Sequence, residues 1–124
     1  MIVLDTNIII AYLKGDATIS AWFASQRIRG SDMLGISIIT VTELLSFPDA
    51  TDEDLHYIQR WLKSSVWILP IDERIAIHAG ELCRKFRLKT ADAIIAATTK
   101  HNRAALLKRD KDFKKVKDLS FVSL

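Results

Sequence analysis

Short apolar runs alternate with longer amphipathic segments along the whole chain, and this alternation constrains the fold more than any other feature of the sequence. The runs at 2–4, 34–37, 66–69 and 105–107 suit strands, and residues 121–122 form a shorter fifth run. Between them, apolar residues recur at helical spacing. Alternating strands and helices are typical of a mainly parallel sheet covered on both faces. We therefore predict an α/β protein: a three-layer α/β/α sandwich with a mainly parallel sheet of four to five strands.

Length and composition limit the class of protein. A chain of 124 residues has room for one hydrophobic core, so a single domain over 1–124 is expected. Cys83 is the single cysteine, which excludes an internal disulfide framework and favours a reducing cytoplasm. No apolar stretch approaches the ~18 residues of a membrane helix, so no membrane partner is expected. The net charge of +3 permits a polyanionic partner without requiring one.

Four carboxylates lie where ligands collect in parallel α/β folds, just past the carboxyl ends of strands. Asp5 directly follows the first strand, and Glu43 lies on the helix predicted after the second. Asp92 lies in the first turn of the helix that Thr90 begins, and Asp110 lies just past the fourth strand. Each aspartate also has an alternative explanation as a helix cap or as a partner of the helix dipole.

Glu43 is harder to explain by local structure. In a helix predicted over 40–47, its apolar surroundings include Ile39 and Phe47, four residues away on either side. A carboxylate buried in such a stripe without a partner is costly, which favours a functional role. The alternative is a position at the edge of the stripe, where Glu43 reaches water or a hydroxyl such as Thr40 or Thr42.

A divalent cation would neutralise several of these acids at once. No basic residue stands within four positions of Glu43, and the histidines at 56, 78 and 101 show no spacing typical of a metal site. Oxygen-only ligands select Mg²⁺ or Mn²⁺. Such an ion polarises a phosphate and lowers the pKa of an attacking water. The acids therefore predict phosphodiester chemistry.

Four segments carry a resemblance to a known family. They are VLDTN at 3–7, IITVTELL at 38–45, TADAIIAAT at 90–98 and LLKRDKDF at 106–113. In this order and spacing, the chain resembles the PIN-domain ribonucleases, and specifically the VapC-type toxins of bacterial and archaeal toxin–antitoxin pairs. The resemblance extends over essentially the whole chain and implies a single PIN-like domain.

This resemblance implies a site, an activity and partners. The family's catalytic, metal-binding acids match Asp5, Glu43, Asp92 and Asp110, which would hold Mg²⁺ or Mn²⁺. The implied activity is a metal-dependent endoribonuclease, a hydrolase that leaves a 5′-phosphate and a 3′-hydroxyl on RNA. The resemblance also implies a cytoplasmic homodimer, silenced by a cognate small antitoxin protein that occludes the pocket. By the same resemblance, the helices bearing Trp22 and Trp61 contact the second protomer or the antitoxin.

Two positions depart from the family's pattern. Lys108 stands where the family often has Thr or Ser, and Ala91 stands where it often has Pro, with Thr90 as a possible cap. Neither change removes a carboxylate. Lys108 leaves open whether Asp110 or Asp112 completes the site.

Further polar residues surround the acids. Thr6 and Asn7 are candidates for hydrogen bonds to a phosphate or to metal-bound water, and equally for turn and cap groups. Basic residues near the later acids are candidates for an RNA-binding groove: Arg87, Lys89, Lys108, Arg109, Lys111, Lys114 and Lys115. The alternative for such a charge run is a solvated face. Their placement beside Asp92 and Asp110 favours contacts to the RNA backbone.

Three other functions stay open on the sequence. A stand-alone PIN nuclease of RNA processing or decay would share the chemistry but lack an antitoxin encoded next door. A phospho-receiver module would need a second acid beside Asp5, where Thr6 and Asn7 stand. A non-catalytic binding module would gain nothing from clustering like charges.

Overall fold

Strands and helices alternate from end to end in the computed structural model, which describes residues 1–29, 33–109 and 111–124. In chain order the elements are β1 (Ile2–Leu4), α1 (Thr6–Leu13), α2 (Ala17–Arg29), β2 (Leu34–Ser37), α3 (Ile38–Leu44), α4 (Asp52–Ser65), β3 (Trp67–Leu69), α5 (Glu73–Phe86), α6 (Thr90–His101) and β4 (Ala105–Leu107). A 3₁₀ helix, Lys111–Lys115, follows β4. None of the helices in this described part of the chain is both long and apolar enough to cross a membrane.

The strands form one parallel sheet in the order β3-β2-β1-β4. The predicted α/β sandwich is confirmed, with four strands among the described residues. The fifth run adds only an isolated bridge, Phe121 to Leu106. Its two hydrogen bonds, Leu106 N to Ser120 O at 2.8 Å and Val122 N to Leu106 O at 2.9 Å, converge on one residue of β4, so no ladder forms.

Helices cover both faces of the sheet. Successive strand residues point to opposite faces. Val3 and Leu106 pack in the cluster formed with α5 and α6, whereas Leu4 and Leu107 pack in the cluster formed with α1, α2 and α4. All four side chains are 0% exposed. Burial on both faces explains why these strands are continuous apolar runs in the sequence.

The edge strand β3 is covered less completely than the central strands. Trp67 is 63% exposed and Ile68 is 42% exposed, although their neighbours in the sequence are apolar. An edge strand has a pairing neighbour on one side only, and the helical layers do not reach around it here. The central strands β1 and β2, together with β4 at the other edge, therefore carry the core and position the polar residues that follow them.

The strand order makes β1 the strand from which the sheet extends in both directions. From β1 the chain adds β2 and β3 on one side, and it later adds β4 on the other side. In open parallel sheets, ligands commonly bind in the crevice above such a point. The Asp5 N–H donates to Leu107 O at 3.0 Å, which joins the carboxyl ends of β1 and β4 at this crevice.

Candidate active site

Asp5 directly follows β1 at the carboxyl end of the sheet and is 2% exposed. It holds the N-cap position of α1, yet its side chain makes no capping hydrogen bond. Helix capping by the carboxylate, the alternative offered by the sequence, is therefore not what the structure shows. A carboxylate buried to this degree needs compensation from polar partners, a proton or a cation.

A short hydrogen bond links Glu43 to Thr6, the residue that follows Asp5. The Thr6 hydroxyl donates to Glu43 Oε1 at 2.6 Å, and Thr6 Oγ1 lies 3.0 Å from Thr40 Oγ1. Glu43 is half-buried, whereas Thr6 is 5% exposed and Thr40 is 0% exposed. Glu43 thus reaches a hydroxyl, as one alternative proposed, but that hydroxyl comes from α1 rather than from its own helix.

The bounds of α3 explain where Glu43 lies. The helix begins and ends earlier than the predicted 40–47. It begins at Ile38 because the Ser37 hydroxyl caps it, accepting the Ile39 N–H at 3.3 Å. It ends at Leu44, and the Ser46 hydroxyl donates to Glu43 O at 2.8 Å just beyond. Glu43 therefore stands in the last turn of α3, facing the start of α1.

Asp92 lies towards the same end of the strands, although α6 packs on the opposite face of the sheet from α1 and α3. The Thr98 hydroxyl of α6 is 3.4 Å from the hydroxyl of Ser37, the last residue of β2. Asp92 precedes Thr98 by six residues, or about 9 Å of helix, and α6 runs towards the start of β4. The half-buried Asp92 side chain is therefore held beyond the carboxyl ends of the strands.

The predicted cap of α6 is displaced by one residue. Lys89 holds the N-cap position without a side-chain capping bond, and the exposed Thr90 is the first helical residue. Asp92 lies in the first turn, where the positive end of the helix dipole favours a carboxylate. The dipole explanation for Asp92 and a functional role are therefore compatible.

The acids after β4 are described only in part. Asp110 lies outside the described residues. Asp112 is half-buried on the 3₁₀ helix and pairs with Lys115 at 3.7 Å. Within 1–29, 33–109 and 111–124, no three His, Cys, Asp or Glu side chains are grouped so that they could hold a metal ion. The four-acid metal centre therefore stays a prediction.

The donor chemistry at the crevice nevertheless fits a hard cation. The side chains placed there by β1, α1 and α3 are carboxylates and hydroxyls, and oxygen donors select Mg²⁺ or Mn²⁺ over softer metals. The buried carboxylate of Asp5 and the half-buried one of Glu43 supply negative charge beside a set of buried hydroxyls. A divalent cation would offset that charge.

Three of the predicted RNA-binding residues have partners within the chain. Arg109 Nη2 lies 2.8 Å from Asp16 Oδ2, an exposed pair in which the Ile19 N–H and the Arg109 guanidinium lower the pKa of Asp16. Lys108 Nζ lies 5.2 Å from the centre of the Phe121 ring. Lys115 forms the pair with Asp112 described above.

The other predicted RNA contacts are exposed, as is Asn7. These are Arg87, Lys89, Lys111 and Lys114. Arg87 caps the end of α5 in the left-handed region, at φ 55°. The structure therefore leaves an exposed basic surface beside the starts of α6 and the 3₁₀ helix.

Sequence reasoning missed the direct link between Thr6 and Glu43 and the place of Thr40 behind it. A weak signal existed, because Thr40 and Glu43 are three residues apart and therefore share one face of a helix. The contact with Thr6 has no such signal, since the two residues it joins are 37 positions apart.

A parallel α/β sandwich with buried carboxylate and hydroxyl groups at its topological switch point defines a class of domain with an acidic site above the central strand. The chain belongs to the PIN domain family, whose family model matches residues 2–119. The resemblance inferred from the four motifs is thereby confirmed.

Relatives with known descriptions agree with this assignment. Ribonuclease VapC10 of Mycobacterium tuberculosis is 31% identical over 104 residues, which are 79% of this chain and 74% of the relative. The structure of VapBC-1 from nontypeable Haemophilus influenzae matches with a TM-score of 0.80 at 28% identity, covering 98% of this chain and 97% of the other. A toxin–antitoxin complex from Klebsiella pneumoniae matches with a TM-score of 0.75 at 28% identity, covering 96% and 95%.

Proposed function

We propose that this protein is an endoribonuclease that depends on Mg²⁺ or Mn²⁺ and acts as the toxin of a toxin–antitoxin pair. The PIN family assignment and the similarity to a ribonuclease and to toxin–antitoxin complexes support this function. The observation that carries the proposal is a buried Asp5 at the end of β1, directly followed by Thr6, whose hydroxyl donates to Glu43 at 2.6 Å.

In this proposal the metal is held by four acids: Asp5, Glu43, Asp92 and Asp110. When bound, a hard dication supplies Lewis-acid polarisation of the phosphate and lowers the pKa of water. The chain's own contribution is positional. The Thr6 proton holds one oxygen of Glu43, burial of Asp5 excludes bulk water, and the start of α6 presents Asp92. The proposed products carry a 5′-phosphate and a 3′-hydroxyl.

The polar and basic residues around the four acids have separate proposed roles. Thr6 orients Glu43, and the exposed Asn7 is placed to contact a phosphate. Thr90 is exposed at the start of α6, where backbone N–H groups favour anions. Asp112 is the alternative to Asp110 as the acid that completes the site. The basic residues on the neighbouring surface bind the RNA backbone, which fixes position and salt dependence but not sequence.

We also propose a cytoplasmic homodimer with a cognate antitoxin. An apolar groove of ≈ 530 Å³ between α1, the end of α3 and α4 supports such a partner. Phe47 and Tyr57 line it and are 49% and 52% exposed. Trp22 and Trp61, on the helices expected to contact a partner, form an aromatic cluster with Phe23, whose ring contacts both.

The activity is tested with purified protein and a labelled RNA. We expect cutting with Mg²⁺ or Mn²⁺, no cutting with EDTA, and a loss of about 100-fold or more in Asp5→Asn protein, because several kcal/mol of charge stabilisation depend on the ion. Asp118→Asn is the matched control, since Asp118 is exposed at φ 63° and asparagine tolerates that conformation.

Two further readouts separate a lost site from a lost fold. Metal-free Asp5→Asn protein should melt at or above the wild-type temperature, because an amide is cheaper to bury than a carboxylate. Undiminished cutting by this variant would show that the acids are not the site. Cutting that no encoded neighbour inhibits would favour a stand-alone nuclease over a toxin.

A further inference from the structure

Thr40 is a fully buried hydroxyl that no step described above uses. It lies on α3 one turn before Glu43, is 0% exposed, and its Oγ1 is 3.0 Å from Thr6 Oγ1. A buried hydroxyl without a hydrogen bond would be costly, so the Thr6 contact satisfies it. The geometry of that contact alone does not say which oxygen is the donor.

The number of hydroxyl protons determines which threonine donates in this hydrogen bond. Each threonine hydroxyl carries one proton and can accept through its lone pairs. The Thr6 proton is committed to Glu43 Oε1, at a distance of 2.6 Å that is typical of a hydroxyl donating to a carboxylate. Thr6 Oγ1 therefore accepts in its contact with Thr40, and the Thr40 hydroxyl donates. The three side chains form a directed series from Thr40 through Thr6 to Glu43.

We propose that Thr40 is a positioning residue, which donates its proton to Thr6 and thereby keeps the Thr6 proton directed at Glu43. Water cannot take over this task, because Thr40 and Thr6 are 0% and 5% exposed. The role rests on the proposed function, in which Glu43 is a metal ligand. Groups that orient a ligand in this way typically contribute 10- to 100-fold to metal affinity or activity.

The test compares three single variants. Thr40→Val keeps the shape of the side chain and removes the hydrogen-bond donor, whereas Thr40→Ser keeps the hydroxyl. Thr42→Val makes the same change at an exposed position of the same helix and is the matched control. Mn²⁺ binding is measured by calorimetry, RNA cutting over a range of Mn²⁺ concentrations, and melting temperature without metal.

We expect Thr40→Val to raise the Kd for Mn²⁺ by about tenfold, and to require correspondingly more Mn²⁺ for half-maximal cutting. Thr40→Ser and Thr42→Val should stay within about twofold of wild type. A purely structural Thr40 would lower the melting temperature of Thr40→Val and leave the Kd of the folded protein unchanged, and that result would overturn the role.

A double variant tests whether Thr40 acts through Thr6. If Thr40 acts only on Thr6, adding Thr40→Val to a Thr6→Val protein should not weaken Mn²⁺ binding further. A further tenfold loss would overturn the proposed series. Should Thr40→Val not fold, Thr40→Cys replaces it, because a thiol is a weak donor. A Kd within twofold of Thr40→Ser would then contradict the role.

Failure of this role and failure of the proposed function give different results. Wild-type protein that neither binds Mn²⁺ nor cuts RNA would overturn both. Wild-type protein that does both, beside a Thr40→Val protein that does both equally well, would overturn the role of Thr40 alone.

Discussion

The two halves of the candidate site, on either side of β1, are built in different ways. On the side of β2, the buried Thr6 hydroxyl holds Glu43 through a 2.6 Å hydrogen bond and itself contacts the buried Thr40 hydroxyl at 3.0 Å. On the side of β4, the charged residues stand near the surface in ion pairs, Arg109 with Asp16 and Lys115 with Asp112. Buried hydrogen bonds impose one geometry, whereas exposed ion pairs contribute little and are screened by salt.

This difference separates two tasks. The buried half is suited to fixing a ligand for a cation, because its oxygens have few alternative positions. The exposed half is suited to attracting a polyanion, because its charges can exchange an internal partner for a phosphate. The following experiments, from the largest expected effect to the smallest, test whether the two halves differ in this way.

The largest effect should come from Phe113, the buried side chain that attaches the exposed half to the core. Phe113 is 0% exposed and packs the 3₁₀ helix into the cluster with α5 and α6. We expect Phe113→Ala to lower the free energy of unfolding by about 3–5 kcal/mol, measured by urea denaturation. Phe47→Ala, at a position 49% exposed, should cost about 1 kcal/mol. Equal losses in the two variants would show that the exposed half is not anchored there.

The carboxylates of the two halves should differ in importance. Glu43→Gln should lower the rate of RNA cutting by about 100-fold or more, because it removes the charge that the Thr6 hydroxyl holds in place. Asp112→Asn should lower it by less than about threefold if Asp110 completes the site, since exposed pairs contribute little. A loss after Asp112→Asn as large as that after Glu43→Gln would instead give Asp112 the role predicted for Asp110.

Salt dependence should report on the exposed half alone. In catalytically silent Asp5→Asn protein, replacing Lys114 and Lys115 by Ala should reduce the slope of log affinity for single-stranded RNA against log salt by about 0.7 for each lost phosphate contact. The same replacements at the exposed Lys14 and Lys63 are the control and should leave the slope unchanged. An unchanged slope in the first variant would return these lysines to a solvated face.

The smallest effect concerns a histidine pair outside both halves. His78 Nδ1 lies 3.0 Å from His101 Nε2, and burial, Lys100 and His101 lower the pKa of His78 from its ordinary 6.5. Protonation therefore favours the unfolded chain, so stability is full above about pH 6.5 and declines as the pH falls below it.

A His78→Gln variant should show a flatter dependence of unfolding free energy on pH between 5 and 7 than wild type. Cutting at pH 7.5 should not change, because His101 is nine residues, or about 14 Å of helix, from Asp92. A variant with the wild-type pH dependence would show that His78 does not contribute to it.

Much of the fold could be predicted from local patterns. The apolar runs identified the four strands, and the parallel arrangement identified the strand ends as the place for ligands. The same patterns misplaced the bounds of α3, because its start depends on the Ser37 cap and its end on the turn after Leu44. They also predicted a strand at residues 121–122, because apolar character does not reveal how many backbone pairs a segment will form with a neighbouring strand.

The site was predicted as a set of acids but not as an arrangement. The positions of Asp5, Glu43 and Asp92 follow from where strands end and helices begin. Their surroundings do not: the partner of Glu43 is 37 positions away, and the partner of Arg109 is 93 positions away. The basic residues looked alike in the sequence, and only the structure shows which of them have partners within the chain.

The amino-acid sequence by itself determined the order of strands and helices, the family, and which carboxylates stand at strand ends, because residue spacing and motifs are local properties. Only the tertiary structure decided which hydroxyl holds Glu43 and which cations are already paired. A hydrogen bond depends on distance, direction and burial, and those quantities exist only once segments remote in the chain have packed together.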